Sequence, residues 1–308
     1  MIKNYVKIAW RNLIKNKASA AINIGGLAVG MAVAMLIGLW IWSELSVDTS
    51  YSNRDRIAAV YENALVNNET QTNGASALPL APALRQAYGQ AFKHVIIASY
   101  DGNHPITYNS KTIIQTGNFM EPAITDMLSL KILEGSAVSL NDPSSVLLSQ
   151  SAAKAVFGDA APLNKIITID KEMNAKVTGI YQDLPKNSSF GDLNFIAPWQ
   201  MLASSQHYAT RFNNPWGPSW FQTFVQLADN ADMGEVSAKI KDVKLNALTS
   251  QHNSDARYKS ALFLYPMNRW YLYDQFKSGV NTGGRIQYVW LFGLTGVFVL
   301  LLACINFM

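Results

Sequence analysis

Apolar and polar positions follow three regimes along the chain. Residues 18–43 form a stretch of 26 without a charge, and residues 286–308 form another of 23. Each reaches the roughly 20 predominantly apolar residues that an α-helix needs to cross a hydrocarbon core about 30 Å thick. The pattern predicts two transmembrane helices. Between them, residues 44–285 mix short strand and helix periods. Residues 55–66 open with a β-favouring run, 79–88 read as a short helix and 95–100 as a strand. Val146-Leu147-Leu148 predicts a strand that passes through Ser149, an N-cap, into a helix over 150–157 stopped by Gly158. Residues 165–170 and 176–181 predict a hairpin with 171–175 as its turn, and 220–227 a further strand. Asp232 and Glu235 have capping-box spacing ahead of a helix that carries Val236, Ile240 and Val243 on one face. Elements mixed in this order indicate an α+β domain.

Charge orients this layout. The chain has 25 Lys and Arg and 21 Asp and Glu, but the first 17 residues hold Lys3, Lys7, Arg11, Lys15 and Lys17 with no acid. The net charge of +4 is therefore a basic amino terminus on a neutral body. Cationic flanks beside a span stay on the cytoplasmic side, which places residue 1 inside and residues 44–285 outside. The sequence pI of 9.0 is accounted for by cations next to anionic headgroups, so nucleic acid is not an expected partner. Ile2, Tyr5, Val6, Ala9, Trp10 and Leu13 recur at helical spacing, with Lys3, Lys7, Arg11 and Lys15 as a separate stripe. Residues 1–17 thus predict a basic amphipathic helix on the membrane surface, with contact to a cytoplasmic partner as the other use of the stripe.

The first apolar stretch is too long for a signal-peptide core of about 7–15 residues and ends without a small-residue cleavage site, so it is expected to be retained. Trp40 and Trp42 close it, and Tyr288 and Trp290 open the second stretch, as aromatics of one outer interface; Trp10 would mark the inner one. Gly26, Gly30, Ala34 and Gly38 recur every four residues, a ridge of small side chains that invites another helix. Asn23 and Asn306 are polar groups within the spans, which again implies protein neighbours: further transmembrane helices of a longer chain or a second copy. Since no charged flank follows the second stretch, the chain reads as the front part of a longer polypeptide.

Catalytic chemistry is not signalled. His94, His104, His207 and His252 are scattered, without metal-ligand spacing. The sole cysteine, Cys304, lies in the second apolar stretch, so the outer domain is expected to hold by packing, without a disulfide. Gly25 and Gly30 have the glycine spacing of a phosphate loop, but Met31-Ala32 stands where Lys-Ser/Thr is required. No catalytic, cofactor or metal residue is assigned. Asp229 and Asp232 read as solvated or capping acids. Trp216, Trp220, Phe221, Trp270, Tyr271 and Tyr273 read as core, with a binding groove as the sharper alternative.

Trp10-Arg11-Asn12-Leu13 ahead of a Gly-rich span, Val146-Leu147-Leu148-Ser149 with Ala152, Ala153, Phe157 and Gly158, Val177-Thr178-Gly179-Ile180 with Asp183-Leu184-Pro185 and Ser188-Ser189-Phe190, and the run 301–308 occur in an order that resembles the amino-terminal half of a MacB/FtsX-type permease, the mechanotransmission class of ABC transporters. The resemblance implies a periplasmic core domain at 44–285 in the cell inner membrane, with a porter-like part at about 50–145 and 235–285 and an inserted subdomain at about 146–234. It also implies that residues 286–308 begin the FtsX-like domain, and that ATP is bound by a separate cytoplasmic ABC ATPase subunit. The chain itself is expected to be no enzyme. A two-span sensor with a periplasmic ligand-binding domain is the alternative that the layout leaves open.

Overall fold

The structure, a computed structural model, describes Arg11, Lys15 and residues 17–205, 216–217 and 220–307. It divides into two compact units, a helix pair and a domain spanning Val47–Thr282. Helix α1, Lys17–Leu45, opens the pair. Its 29 residues contain no proline and span about 43 Å at 1.5 Å per residue. Of the expected basic helix, Lys3 and Lys7 lie outside the described residues, as does Trp10. Arg11 and Lys15 are helical and exposed.

The domain begins with β1 (Ile57–Val66) and β2 (Glu69–Asn73). They pair antiparallel across Asn67-Asn68, both left-handed at φ 52° and 64° as a two-residue hairpin requires. Helix α2 (Leu80–Tyr88) buries Leu80, Ala81 and Leu84, and leads to β3 (Phe92–Ala98).

The chain then leaves this layer to build a second one: β4 (Gly102–Tyr108), β5 (Lys111–Met120), the short α3 (Ile124–Met127), β6 (Ile132–Gly135), β7 (Ser145–Ser149), α4 (Gln150–Phe157), β8 (Ile166–Ile169), β9 (Met173–Tyr181), β10 (Phe195–Pro198) and α5 (Trp199–Ala203). Six of these strands pair in a closed ring, in the order β10, β7, β9, β8, β4, β5 and back to β10. The β7–β9 and β5–β10 pairs are parallel and the rest antiparallel. Closure leaves no edge within the ring for another chain to extend. It needs Gly117, where an added Cβ would run into the Phe195 ring. Ile106, Val146, Leu148, Ile167, Ile169, Ala175, Val177 and Phe195 are fully buried in one cluster.

Two local signals of this layer appear where expected. The Ser149 side chain accepts a hydrogen bond from Ala152 N at 3.2 Å, and Gly158, at φ 65°, ends α4 while its N–H donates to Lys154 O at 2.9 Å. Ser149→Ala is expected to lower unfolding stability by about 0.5–2 kcal/mol, read from a denaturant midpoint. The β8–β9 turn is tighter than the expected 171–175. Asp170 and Lys171 adopt φ 53° and 66°, so two left-handed residues make the reversal and Met173–Ala175 belong to β9.

From β11 (Gln222–Leu227) the chain returns to the first layer through α6 (Met233–Ile240), α7 (Val243–Ser250) and β12 (Ala261–Pro266). The neighbours β12, β1, β11 and β3 are all antiparallel, so β-α-β, an insertion, and β-α-β make a ferredoxin-like sheet. Asp232 caps α6 by accepting from Glu235 N at 2.9 Å. Val243 does not continue α6 as expected. The Lys241 carbonyl is taken by Leu262 N of β12 at 2.8 Å, which draws it out of the helical ladder, and α7 starts afresh. The short α8 (Met267–Trp270), β13 (Gln275–Lys277) and β14 (Val280–Gly283) follow, then α9 (Ile286–Phe307).

Strand pairing divides the domain differently from the expected boundaries at 146 and 234. β4 and β5 pair with β8 and β10, whereas β11 pairs with β1 and β3. The insertion therefore replaces the connection between β3 and β11. The layers share their interior: Met120, Leu147, Tyr181 and Ile196 pack in one cluster with Ile57, Ala59, Ile96 and Phe224 of the ferredoxin-like sheet.

Candidate functional site

Three features outside ordinary core packing bear on function: the helix pair, the segment by which the chain enters the domain, and a buried ion pair. In the helix pair, α1 and α9 run antiparallel with backbones close together. A Cβ added at Gly26 would sit 2.8 Å from Asn306 Nδ2, and one at Gly30 would collide with Ala303 Cβ. Toward the other end the small residues change sides. A Cβ at Gly296 would meet Ile37 Cγ2 at 3.2 Å and one at Gly293 would meet Ile41 Cδ1 at 3.6 Å. The Trp40 and Phe292 rings lie edge to face with centroids 5.0 Å apart.

Gly30 is buried, Gly26 and Ala34 are half-buried, and Gly38 is exposed with open space around it. Gly38 thus does not belong to the contact. Four-residue steps advance about 40° beyond a full turn each, so a strict every-fourth ridge winds off the seam, which here continues through Ile37 and Ile41. Gly293 and Gly296 were missed, although their three-residue spacing in Gly293-Leu-Thr-Gly296 is the matching signal. Trp42, Tyr288 and Trp290 are exposed at the same end of the pair as Trp40. Ile22, Val29, Leu36, Leu39, Val297 and Leu302 are also exposed, an apolar covering that suits lipid.

The segment after α1 is held tightly. Asp48 lies three residues past Leu45, at φ 61°, and is 1% exposed. Its carboxylate accepts from Ser189 N and Ser189 Oγ, each at 2.6 Å, and its own N–H donates to Asn187 O at 3.0 Å. Tyr51 adds a hydrogen bond from its hydroxyl to Ser188 Oγ at 3.2 Å and an edge-to-face contact with Phe190. Burial pushes the Asp48 carboxyl above its ordinary range, opposed by the Ser189 bonds. Burial likewise pushes the Tyr51 phenol up to about 12.

Glu62 of β1 shares a face with Ala58, Val60 and Ala64 and is buried there. Lys244 of α7 reaches both its oxygens, at 2.9 and 2.7 Å, and the Ser260 hydroxyl also donates to it. An acid on the apolar phase of a strand was the available signal, and it was missed.

The remaining candidates do not converge. His94 Nε2 and Lys93 Nζ lie 2.6 and 3.3 Å from Asp126 Oδ2, and the His94 bond holds that carboxyl below its ordinary value. His104 Nδ1 pairs with Asp170 Oδ2 at 2.7 Å, His252 sits in a turn, and His207 is outside the described residues. Among the described residues no three of His, Cys, Asp and Glu are grouped to hold a metal. Asp229 pairs with Arg56, and Asp232 is the α6 cap. The aromatics are dispersed: Phe221 packs on Trp199, Trp270 on Phe190 and Phe224, and Tyr273 under Arg269.

The sequence profile described as the MacB-like periplasmic core domain matches residues 20–243. This chain belongs to the MacB-like periplasmic core domain family. It is a membrane protein whose α+β extracytoplasmic domain is of the kind found in ABC-type transporter permeases. No curated protein sequence matches it. Among solved structures, the MacB-like chain is similar to a domain of a protein described as a permease from Porphyromonas gingivalis. That pair has 19% identity and TM-score 0.56, over 70% of this chain and 94% of that one. It is also similar to the periplasmic region of MacB from Actinobacillus actinomycetemcomitans, at 16% identity and TM-score 0.47, over 70% and 91%. A third is the extracellular domain of the noncanonic ABC-type transporter YknZ from Gram-positive bacteria, at 17% and 0.45, over 68% and 98%.

Proposed function

We propose that this MacB-like chain belongs to the permease subunit of a mechanotransmission-type ABC transporter. A separate cytoplasmic ATPase binds and hydrolyses ATP, and the permease converts that cycle into movement of its outer domain, for export or extraction of a substrate. The protein sits in the cell inner membrane with its amino terminus in the cytoplasm and residues 44–285 in the periplasm. The observation that carries this reading is the domain's shared core. Two layers locked through Met120, Leu147, Tyr181 and Ile196 move as one body, which suits transmission of a displacement rather than closure around a ligand. Small residues in the helix pair and the five amino-terminal cations support membrane placement and orientation.

Two measurements on the full-length protein test this. A cysteine at Ser110, in the exposed β4–β5 turn, should react with a membrane-impermeant maleimide in intact spheroplasts when Cys304 is replaced by Ser. Protection there reverses the orientation. The protein should copurify with an ABC ATPase from its native membrane, and isolation without one argues against the permease assignment.

A further inference from the structure

The two connections between the helix pair and the domain are built differently. On the α9 side the chain passes through Gly283 and Gly284 at φ 104° and 139°, conformations that glycine adopts without strain. On the α1 side stands Asp48, where two local costs coincide: of the described non-glycine residues with positive φ it alone is buried. A non-glycine residue at φ 61° carries backbone strain, and a carboxylate taken out of water carries a desolvation penalty. Glycine would remove the first and asparagine the second. What aspartate alone supplies is a pair of charge-assisted hydrogen bonds to one residue, Ser189, that lies 141 positions away in sequence.

Thr49 and Ser50 beside it are exposed, and Tyr51 makes a further contact to the same loop, with Ser188. Beyond Tyr51, Ser52 and Asn53 border a cavity of about 200 Å³ shared with Lys131 and Asp183. The chain is thus held to this loop by Asp48 and Tyr51. Strain and desolvation concentrated at one joint mark a position kept for something other than stability.

We propose that Asp48 is the positioning residue through which α1 drives the domain: its carboxylate locks the chain, just past the helix, onto the Asn187–Phe190 loop, so displacement of α1 is passed on at this point. This rests on the permease reading. The Asn187–Phe190 loop follows β9 of the closed ring, whose Tyr181 hydroxyl donates to Leu193 O at 2.9 Å, so a pull on Ser189 is carried into the shared core.

The test uses the full-length protein with its ATPase in lipid nanodiscs, Cys304→Ser, and spin labels on cysteines introduced at Lys15 and Ser110. In the otherwise unaltered protein the distance between the labels should shift between the nucleotide-free and the ATP–vanadate states. Asp48→Gly, which relieves the φ strain and removes the carboxylate, should abolish that shift while ATP hydrolysis and thermal unfolding of the complex persist. Asp48→Asn, whose side-chain carbonyl still accepts from Ser189 N but carries no charge, should recover part of it, leaving a shift smaller than the parent's. If Asp48→Gly fails to assemble, Ser189→Ala, which deletes only the hydroxyl donor, should reduce the shift. An undiminished shift in Asp48→Gly, or in Ser189→Ala, overturns the assignment of Asp48. A parent protein with no shift rejects the permease reading and the coupling with it.

Discussion

Lys244→Ala is expected to destabilise the domain by about 3–5 kcal/mol, because it removes the cation that neutralises the buried Glu62 carboxylate. For a domain of this size, each kcal/mol corresponds to roughly 2–4 °C in melting temperature. Differential scanning calorimetry of the full-length protein should therefore show a fall of roughly 6–20 °C in the domain transition. The physical cause is the asymmetry of buried ion pairs. Losing one partner leaves an uncompensated charge, whereas losing both leaves a cavity that apolar groups can fill. Glu62→Leu combined with Lys244→Met should accordingly recover most of the loss, with the Ser260 hydroxyl giving up its acceptor as the residue of the penalty. A double variant as unstable as Lys244→Ala would show that the pair supplies more than mutual neutralisation.

Gly30→Leu is expected to separate α1 from α9. The backbone at Gly30 lies where even a methyl group meets Ala303, and Val299 O and Ala303 Cα stand close behind, so a leucine cannot be housed by a rotamer change. Without a hydrophobic drive between helices in lipid, association depends on such close approach, and spoiling it removes most of the attraction. Cysteines at Ile41 and Gly293, which face one another at the opposite end of the seam, should cross-link in the parent lacking Cys304 and fail to do so in Gly30→Leu. Gly38→Leu is the paired control. It belongs to the same every-fourth-residue ridge but points into open space, and cross-linking should persist. Equal loss in both variants would mean that helix separation follows from added bulk anywhere on α1, not from the seam.

What could be read along the chain and what could not is clearest where the two adjoin. The strand at 145–149, its Ser149 cap, the helix behind it and the Gly158 stop follow from neighbours within about four positions, and the structure has them at those residues. The helix through Val236, Ile240 and Val243 was equally good by periodicity and is nonetheless two helices, because Leu262 of β12 takes the Lys241 carbonyl. The Gly26 to Gly38 ridge shows the same limit. Spacing identified small residues on one helix, but which of them meet α9 depends on the crossing of two cylinders.

Length, charge clustering and hydrophobic period by themselves determined that two long apolar helices flank a mixed α+β domain, since hydration of apolar and charged groups is a property of each stretch alone. Only the tertiary structure decided that six strands close into a ring and that this ring interrupts a ferredoxin-like sheet between β3 and β11. The same holds for the burial of Glu62 against Lys244 and the fastening of Asp48 to Ser189. These features join residues that are far apart in the chain, and such pairings are selected by backbone hydrogen bonds and packing across the assembled core, which no local pattern records.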